Sequence, residues 1–440
     1  MPRSSLAAIA LVAAVAGAVG LSRSDRGSPA TGLPVEQPPY PPLLGVVSKR
    51  QPAQLVRVDP DSLRPRPGAR VAVGSEGCAP RSGGSACWGV PPWSYSPDRS
   101  LLAVARHEAG VVRSVRIVDV ARMRVDAEVP ILGGGVGLLA WQTPDRVLAL
   151  QEVCCDERQD LLVIDPTRHR VIARRALGGT VLRAARTPYE LVLLLAPAQQ
   201  IGPVQLAILD HRGAVRTANV ERILAGSQPR DTVRYRVEQP GLAIDPGGRR
   251  VFVVGKGLLA ELDLASLQVS YHALTRPVSL LGRLRNWFAP DAYAKGASGA
   301  TRSAVWLGGE TLAVVGTNEE ETRIRPAGLT LIDTQRWRFR TIDRAATEIH
   351  ITENLLLATG AATGLAAYGF DGTERFRVQE GHPAWVEQVF EGRAYVGGMR
   401  ADGRPAPLRV VDLATGRTVA RRAAPLPFLL LDPASGPWDG

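Results

Sequence analysis

One pattern governs what this chain can fold into: an apolar run ending on aspartate comes back about every 50 residues. The runs are QLVRVD ending at Asp59, VRIVD at Asp119, LLVID at Asp165, QLAILD at Asp210, LAELD at Asp263, LTLID at Asp333, AAYGFD at Asp371 and LRVVD at Asp412. From Asp59 to Asp412 the chain covers 353 residues in seven intervals. That spacing suits four short strands with their turns and is too short for a sandwich domain. After each aspartate a polar turn leads into a fourth run, as in DPTRHRVIARRAL and DLATGRTVARRA. A carboxylate in that place accepts backbone N–H groups two residues on and closes a tight hairpin. Eight acids that look like catalytic candidates are therefore assigned to turns.

The first and second runs also repeat, in YSPDRSLLAVAR, QTPDRVLALQEV, IDPGGRRVFVVG, WLGGETLAVVG and VFEGRAYVGG. Trp141-Gln142-Thr143-Pro144-Asp145, with Ser96-Pro97-Asp98 and Asp245-Pro246-Gly247-Gly248, resembles the Ser-Pro-Asp-Gly turn of WD40-like and YVTN-type bacterial β-propellers. The phrase LLVIDPTRHRVIARRALGG is similar to the YVTN blade ending. The resemblance spans nearly the whole chain from about residue 43 and implies a blade, not an activity. The expected fold is all-β: a single closed β-propeller of four-stranded blades over residues 43–433, with a tail at 434–440. Eight blades are expected, or seven if the irregular unit from Ala346 to Gln379 merges with a neighbour. The first unit lacks an inner strand, and the C-terminus offers a spare apolar one at Pro427 to Leu431. Sealing a ring this way removes the unpaired edges that invite aggregation.

Composition narrows the class further. With 45% hydrophobic and 22% charged residues the chain has the makings of a core, and disorder is excluded. The net charge of +11 comes from scattered arginines, with only Lys49, Lys256 and Lys295 as lysines. Nucleic-acid binding needs basic residues gathered on one face, so no nucleic-acid partner is expected. Ser5 to Leu21 is an uncharged apolar run after Met1-Pro2-Arg3, shorter than the roughly 20 residues of a membrane span. Residues 1–21 read as a signal peptide, with an N-terminal membrane anchor as the alternative, and residues 22–42 as a Pro-rich linker. A secreted or extracytoplasmic protein follows, with a disulfide expected between Cys78 and Cys87. Adjacent Cys154 and Cys155 could pair with each other, cross to the first pair, or stay as thiols.

In a ring of this kind the loops leaving fourth strands, and those joining second to third strands, emerge on one face. That face would collect the Cys78–Cys87 loop, the Cys154 and Cys155 loop, Val220–Pro240, Thr317–Pro326 and the insertion 276–302. Long loops on a rigid scaffold are where binding residues usually live. Within the insertion, Leu280, Leu281, Leu284, Trp287 and Phe288 fall at helical spacing beside Arg283 and Arg285. Of the histidines, His350 on a predicted inner strand and His382 just before the next are placed near the central channel, where they could bind a metal or act as acid and base. Arg283, Trp287, Phe288, His350 and His382 are thus the candidate binding residues. No catalytic residue, metal or cofactor is expected. The expected role is a monomeric envelope scaffold for a protein or small ligand; the alternative is an exported enzyme resembling lactonase-type or quinoprotein propellers.

Overall fold

The computed structural model describes residues 42–431, apart from 48–52, 75–77, 82–83, 88–91, 109–110, 133–134, 153–158, 188–189, 199, 211–213, 230–234, 246, 275–298, 321–322, 401 and 424–428. The expected signal or anchor, most of the linker, and the C-terminal tail lie outside the described residues. Every regular element among the described residues is a strand.

Six sheets form a ring, and apart from two parallel joins all their pairings are antiparallel. Four of them are plain four-stranded sheets in chain order, of which Gly135–Thr143, Arg146–Glu152, Gln159–Asp165 and Arg170–Leu177 is typical. The irregular stretch from Ala346 to Gln379 is itself one of them, built from Glu348–Ile351, Leu356–Gly360, Gly364–Tyr368 and Glu374–Val378. The other two are composite. One joins Val71–Gly74 to Leu101–Glu108 through the single parallel pair Gly74 and His107. The second runs from Thr180–Arg186 through Val215–Pro229 and Tyr235–Gln239 into Ala300–Gly308, where Glu238 and Gln239 pair in parallel with Ala300 and Thr301.

Closure is by the C-terminal strand. Leu429, Leu430 and Leu431 pair antiparallel with Val46, Gly45 and Leu44, supplying the inner strand that the first unit lacks. The apolar cores alternate with the sheets around the ring. Val192 and Leu206 meet Val251 and Leu262, while Phe252 and Val254 meet Leu312 and Ile332. Further round, Leu357 and Leu365 meet Val386 and Val396, and Tyr395 and Val410 meet Val56 and Leu430. A middle strand is covered on both faces, which is why runs such as ELVLLLA carry no polar alternation and are buried almost throughout. Outer strands alternate instead, as in RVIARRAL, whose arginines point to solvent.

The turn chemistry follows the reading of the repeat. All eight run-ending aspartates accept a backbone N–H from two to four residues on, at 2.7 to 3.2 Å: Asp59, Asp119, Asp165, Asp210, Asp263, Asp333, Asp371 and Asp412. Four residues after six of them the backbone turns left-handed, at Leu63, Met123, His169, Leu267, Trp337 and Gly416. First and second strands are joined by a different device. Ser96, Thr187 and Thr352 accept an N–H across the turn through their hydroxyls, from Leu101, Glu190 and Leu355. The aspartates of the Pro-Asp turns lock it, with Ser96 donating to Asp98 and Thr143 to Asp145, each at 2.6 Å.

Three stretches expected as loops are regular. Residues 78–87 form the hairpin Cys78–Arg81 with Gly84–Cys87, Val220–Pro240 is largely strand, and Thr317–Pro326 is the hairpin of Thr311–Glu320 with Arg323–Pro326. Pairing satisfies backbone groups that an irregular excursion would leave to solvent.

Candidate functional site

The described excursions beyond the repeat, at 78–87, 226–239 and 317–326, all leave from ends where second strands finish or first strands begin. Among the described residues the opposite ends carry tight turns, apart from the longer connection 58–70 between Ala53–Arg57 and Val71–Gly74. Two glycines let strands overrun their own sheets. Gly226, at φ +119°, pairs with Glu238 just after Ala225 has paired with Gly202, and a Cβ there would lie 2.1 Å from the Gln200 carbonyl oxygen. Gly316, at φ +155°, stands where Thr311–Glu320 changes partner in the same way.

The hairpin that Gly226 starts leans over the inner strand Thr180–Arg186. Between them is a cavity of about 230 Å³, lined among others by Thr180, Leu182, Pro197, Ser227, Glu238 and Gln239. Glu238 is buried and accepts from Arg236 through Nε at 3.2 Å and Nη2 at 2.9 Å; burial still pushes its carboxyl above the ordinary range. Lys256 and Arg302 add opposing charge nearby. Arg302 is buried too, and its guanidinium is fully engaged by the carbonyls of Thr301, Thr317 and Lys256 and by Asn318 Oδ1. Arg183 completes the group. A bulge at Leu182 shifts the register between Val181 and Arg183, and such a bulge re-aims the side chain that follows it. Its Nη2 approaches the Arg302 carbonyl at 3.4 Å and Ser303 Oγ at 3.5 Å, while desolvation holds its pKa below the usual arginine value.

The residues singled out from sequence fall into three groups. Arg283, Trp287 and Phe288 lie outside the described residues, as do Cys154 and Cys155. Cys78 and Cys87 are backbone partners, directly opposite in their hairpin. His350 stands on the inner strand Glu348–Ile351, partly accessible yet so crowded that desolvation pushes its pKa down to about 4. His382 sits in an exposed turn before Ala384–Phe390, its N–H donating to Gln379. No hydrogen bond joins the two histidines, and no group of three or more His, Cys, Asp or Glu is placed to hold a metal among the described residues. Trp141 is wholly buried, and Trp306 stacks on Phe252 of the neighbouring sheet, centroids 5.4 Å apart. Sequence reasoning missed Arg183 and Glu238, whose one signal was a charged residue inside an otherwise apolar or loop-like segment.

Ring, closure and radial cores define a β-propeller. No family model matches the chain, and no curated protein matches its sequence. Among solved structures it is similar to the dihydro-heme d1 dehydrogenase NirN in complex with DHE, with a TM-score of 0.53 and 16% identity over 90% of this chain and 76% of that one. It is also similar to BamB from Moraxella catarrhalis, with a TM-score of 0.43 and 11% identity over 80% of this chain and 89% of that one. At such identities the likeness bears on fold alone.

Proposed function

We propose that this protein is an exported propeller of eight four-stranded blades, of the WD40-like and YVTN repeat type, that serves as a scaffold binding an envelope protein or small ligand through its elaborated end. The observation that carries the reading is one-sidedness: the described hairpins beyond the repeat all leave one end, and the other carries tight turns apart from the connection 58–70. The count of eight is supported by the composite sheets: one splits at its parallel contact into two antiparallel runs of four, and the other into a run of four extended by Tyr235–Gln239 and a second run of four with Arg323–Pro326 beside it. Export is supported by the apolar run at residues 5–21 and by the facing of Cys78 and Cys87. Opposed Cα atoms in an antiparallel pair lie about 4.5 to 5.5 Å apart, within disulfide range. Peptide mapping without reduction tests that bond, and finding both thiols free in exported protein rejects it.

A second reading, an exported enzyme working in the channel, is favoured by one residue: His350, held neutral at ordinary pH on an inner strand. One pair of variants separates the two. Deleting residues 280–295 is expected to leave far-UV dichroism and the unfolding midpoint unchanged while weakening cross-linking to envelope components. If every cross-link survives the deletion and His350→Gln abolishes a measurable turnover, the scaffold is wrong and the enzyme right.

A further inference from the structure

Arg183 reaches from the inner strand Thr180–Arg186 to the inner strand Ala300–Gly308. Another inner strand, Gly241–Ile244, stands between them and packs against both. A side chain that passes over a neighbouring inner strand does so on the axial side, so the guanidinium projects into the channel. There it is poorly satisfied. Both contacts are at the long limit, Nε is buried with no hydrogen-bond partner, and no carboxylate pairs with it among the described residues. The nearby acid, Glu238, is taken by Arg236, and Arg302 and Lys256 add positive charge around it.

An uncompensated cation that is partly buried is costly, and proteins keep one where something else supplies the countercharge. The planar fork of a guanidinium matches the two oxygens of a carboxylate or phosphate, and a nearby hydroxyl adds a third donor. We propose that the channel holds a small oxyanion ligand, bearing a carboxylate or phosphate group, on the Arg183 guanidinium beside the Ser303 hydroxyl. The site goes beyond the scaffold reading, since it needs neither residues 280–295 nor a macromolecular partner. Either can fail without the other.

Thermal unfolding of the full chain at pH 7 and constant ionic strength provides the test, with chloride replaced stepwise by inorganic phosphate in one arm and by acetate in the other. A ligand that binds only the folded state raises the midpoint in a saturable way. The arm that responds at the lower concentration identifies the group. Arg183→Met is expected to abolish that response, and to unfold at a higher temperature than the parent in chloride, because the unpaired charge is gone. Arg170→Gln, on an exposed outer strand, controls for the general attraction of anions to a basic protein and should keep the parental response. Should Arg183→Met not fold, Arg183→Lys is expected to raise the half-saturating concentration about tenfold, since the bidentate contact is lost. The proposal is overturned if neither anion gives a saturable rise, if Arg183→Met or Arg183→Lys responds like the parent, or if Arg183→Met is less stable in chloride, which would make the guanidinium structural.

Discussion

Arg250 donates through Nη2 to Glu310 Oε2 at 2.7 Å, and the two residues belong to successive sheets of the ring. The same guanidinium pairs with Asp245 and Glu261 and lies over the Trp306 ring, 5.2 Å from its centroid. Arg250→Met keeps an apolar stem over Trp306 but leaves three carboxylates facing one another. A loss of about 1 to 2 kcal/mol is expected, modest because the group is part-exposed and water screens it. A urea midpoint no lower than the parent's would remove this contact from the forces joining the sheets.

The left-handed residue in the hairpin after six of the aspartates offers a gain rather than a loss. His169 is exposed at φ 53°, where a side chain is strained, while Gly416 fills the equivalent position without strain. His169→Gly relieves that strain at some entropic cost and should stabilise by roughly 0.5 kcal/mol. Paired urea titrations of the two proteins check the sign.

These turns were legible in sequence because their chemistry is local: an aspartate, the N–H groups just after it, and a polar run. Closure by Leu429–Leu431 was legible for a related reason, since one unit lacked a strand and one apolar strand was spare. The extension through Val215–Pro229 was not. Its sequence VRTANVERILAGSQP lacks a period, and it is held by backbone pairing to Tyr235–Gln239. Arg183 was invisible as a site because its significance depends on Arg302 and Ser303, about 120 residues on. The aromatic helix expected around Trp287 falls outside the described residues.

His350 makes stability depend on pH in a predictable direction. Its folded pKa of about 4 lies below the ordinary histidine value, so the unfolded chain takes up the proton first. Stability is fully present above about pH 6.5 and is lost progressively as pH falls toward 4. The loss should amount to about 2 to 3 kcal/mol, the lower end allowing for the water that reaches the ring. His350→Gln removes this loss while leaving the carboxylate titrations in place. The difference between parent and variant midpoints should therefore change between pH 7 and 4, and a constant difference would mean that the imidazole is well solvated.

Gly226→Ala is the sharpest test of how the elaborated end is built. At φ +119° the backbone there is strained for any side chain, and the added methyl would press on the Gln200 carbonyl oxygen. The strand can relieve both only by giving up its switch from Gly202–Asp210 to Tyr235–Gln239. A cost of about 2 to 4 kcal/mol is expected, combining backbone strain with overpacking. Gly403→Ala is the matched control, because that turn has φ +76° with no atom within 4 Å of where the methyl would stand, leaving only the conformational penalty of about 1 kcal/mol. Hydrogen exchange should locate the damage: amides of 226–229 and 235–239 lose protection in Gly226→Ala, while those of Glu190–Ala196 keep theirs. If both alanine variants lose the same stability and exchange alike, the hairpin does not depend on the close approach at Gln200, and its place over the Thr180–Arg186 strand has another cause.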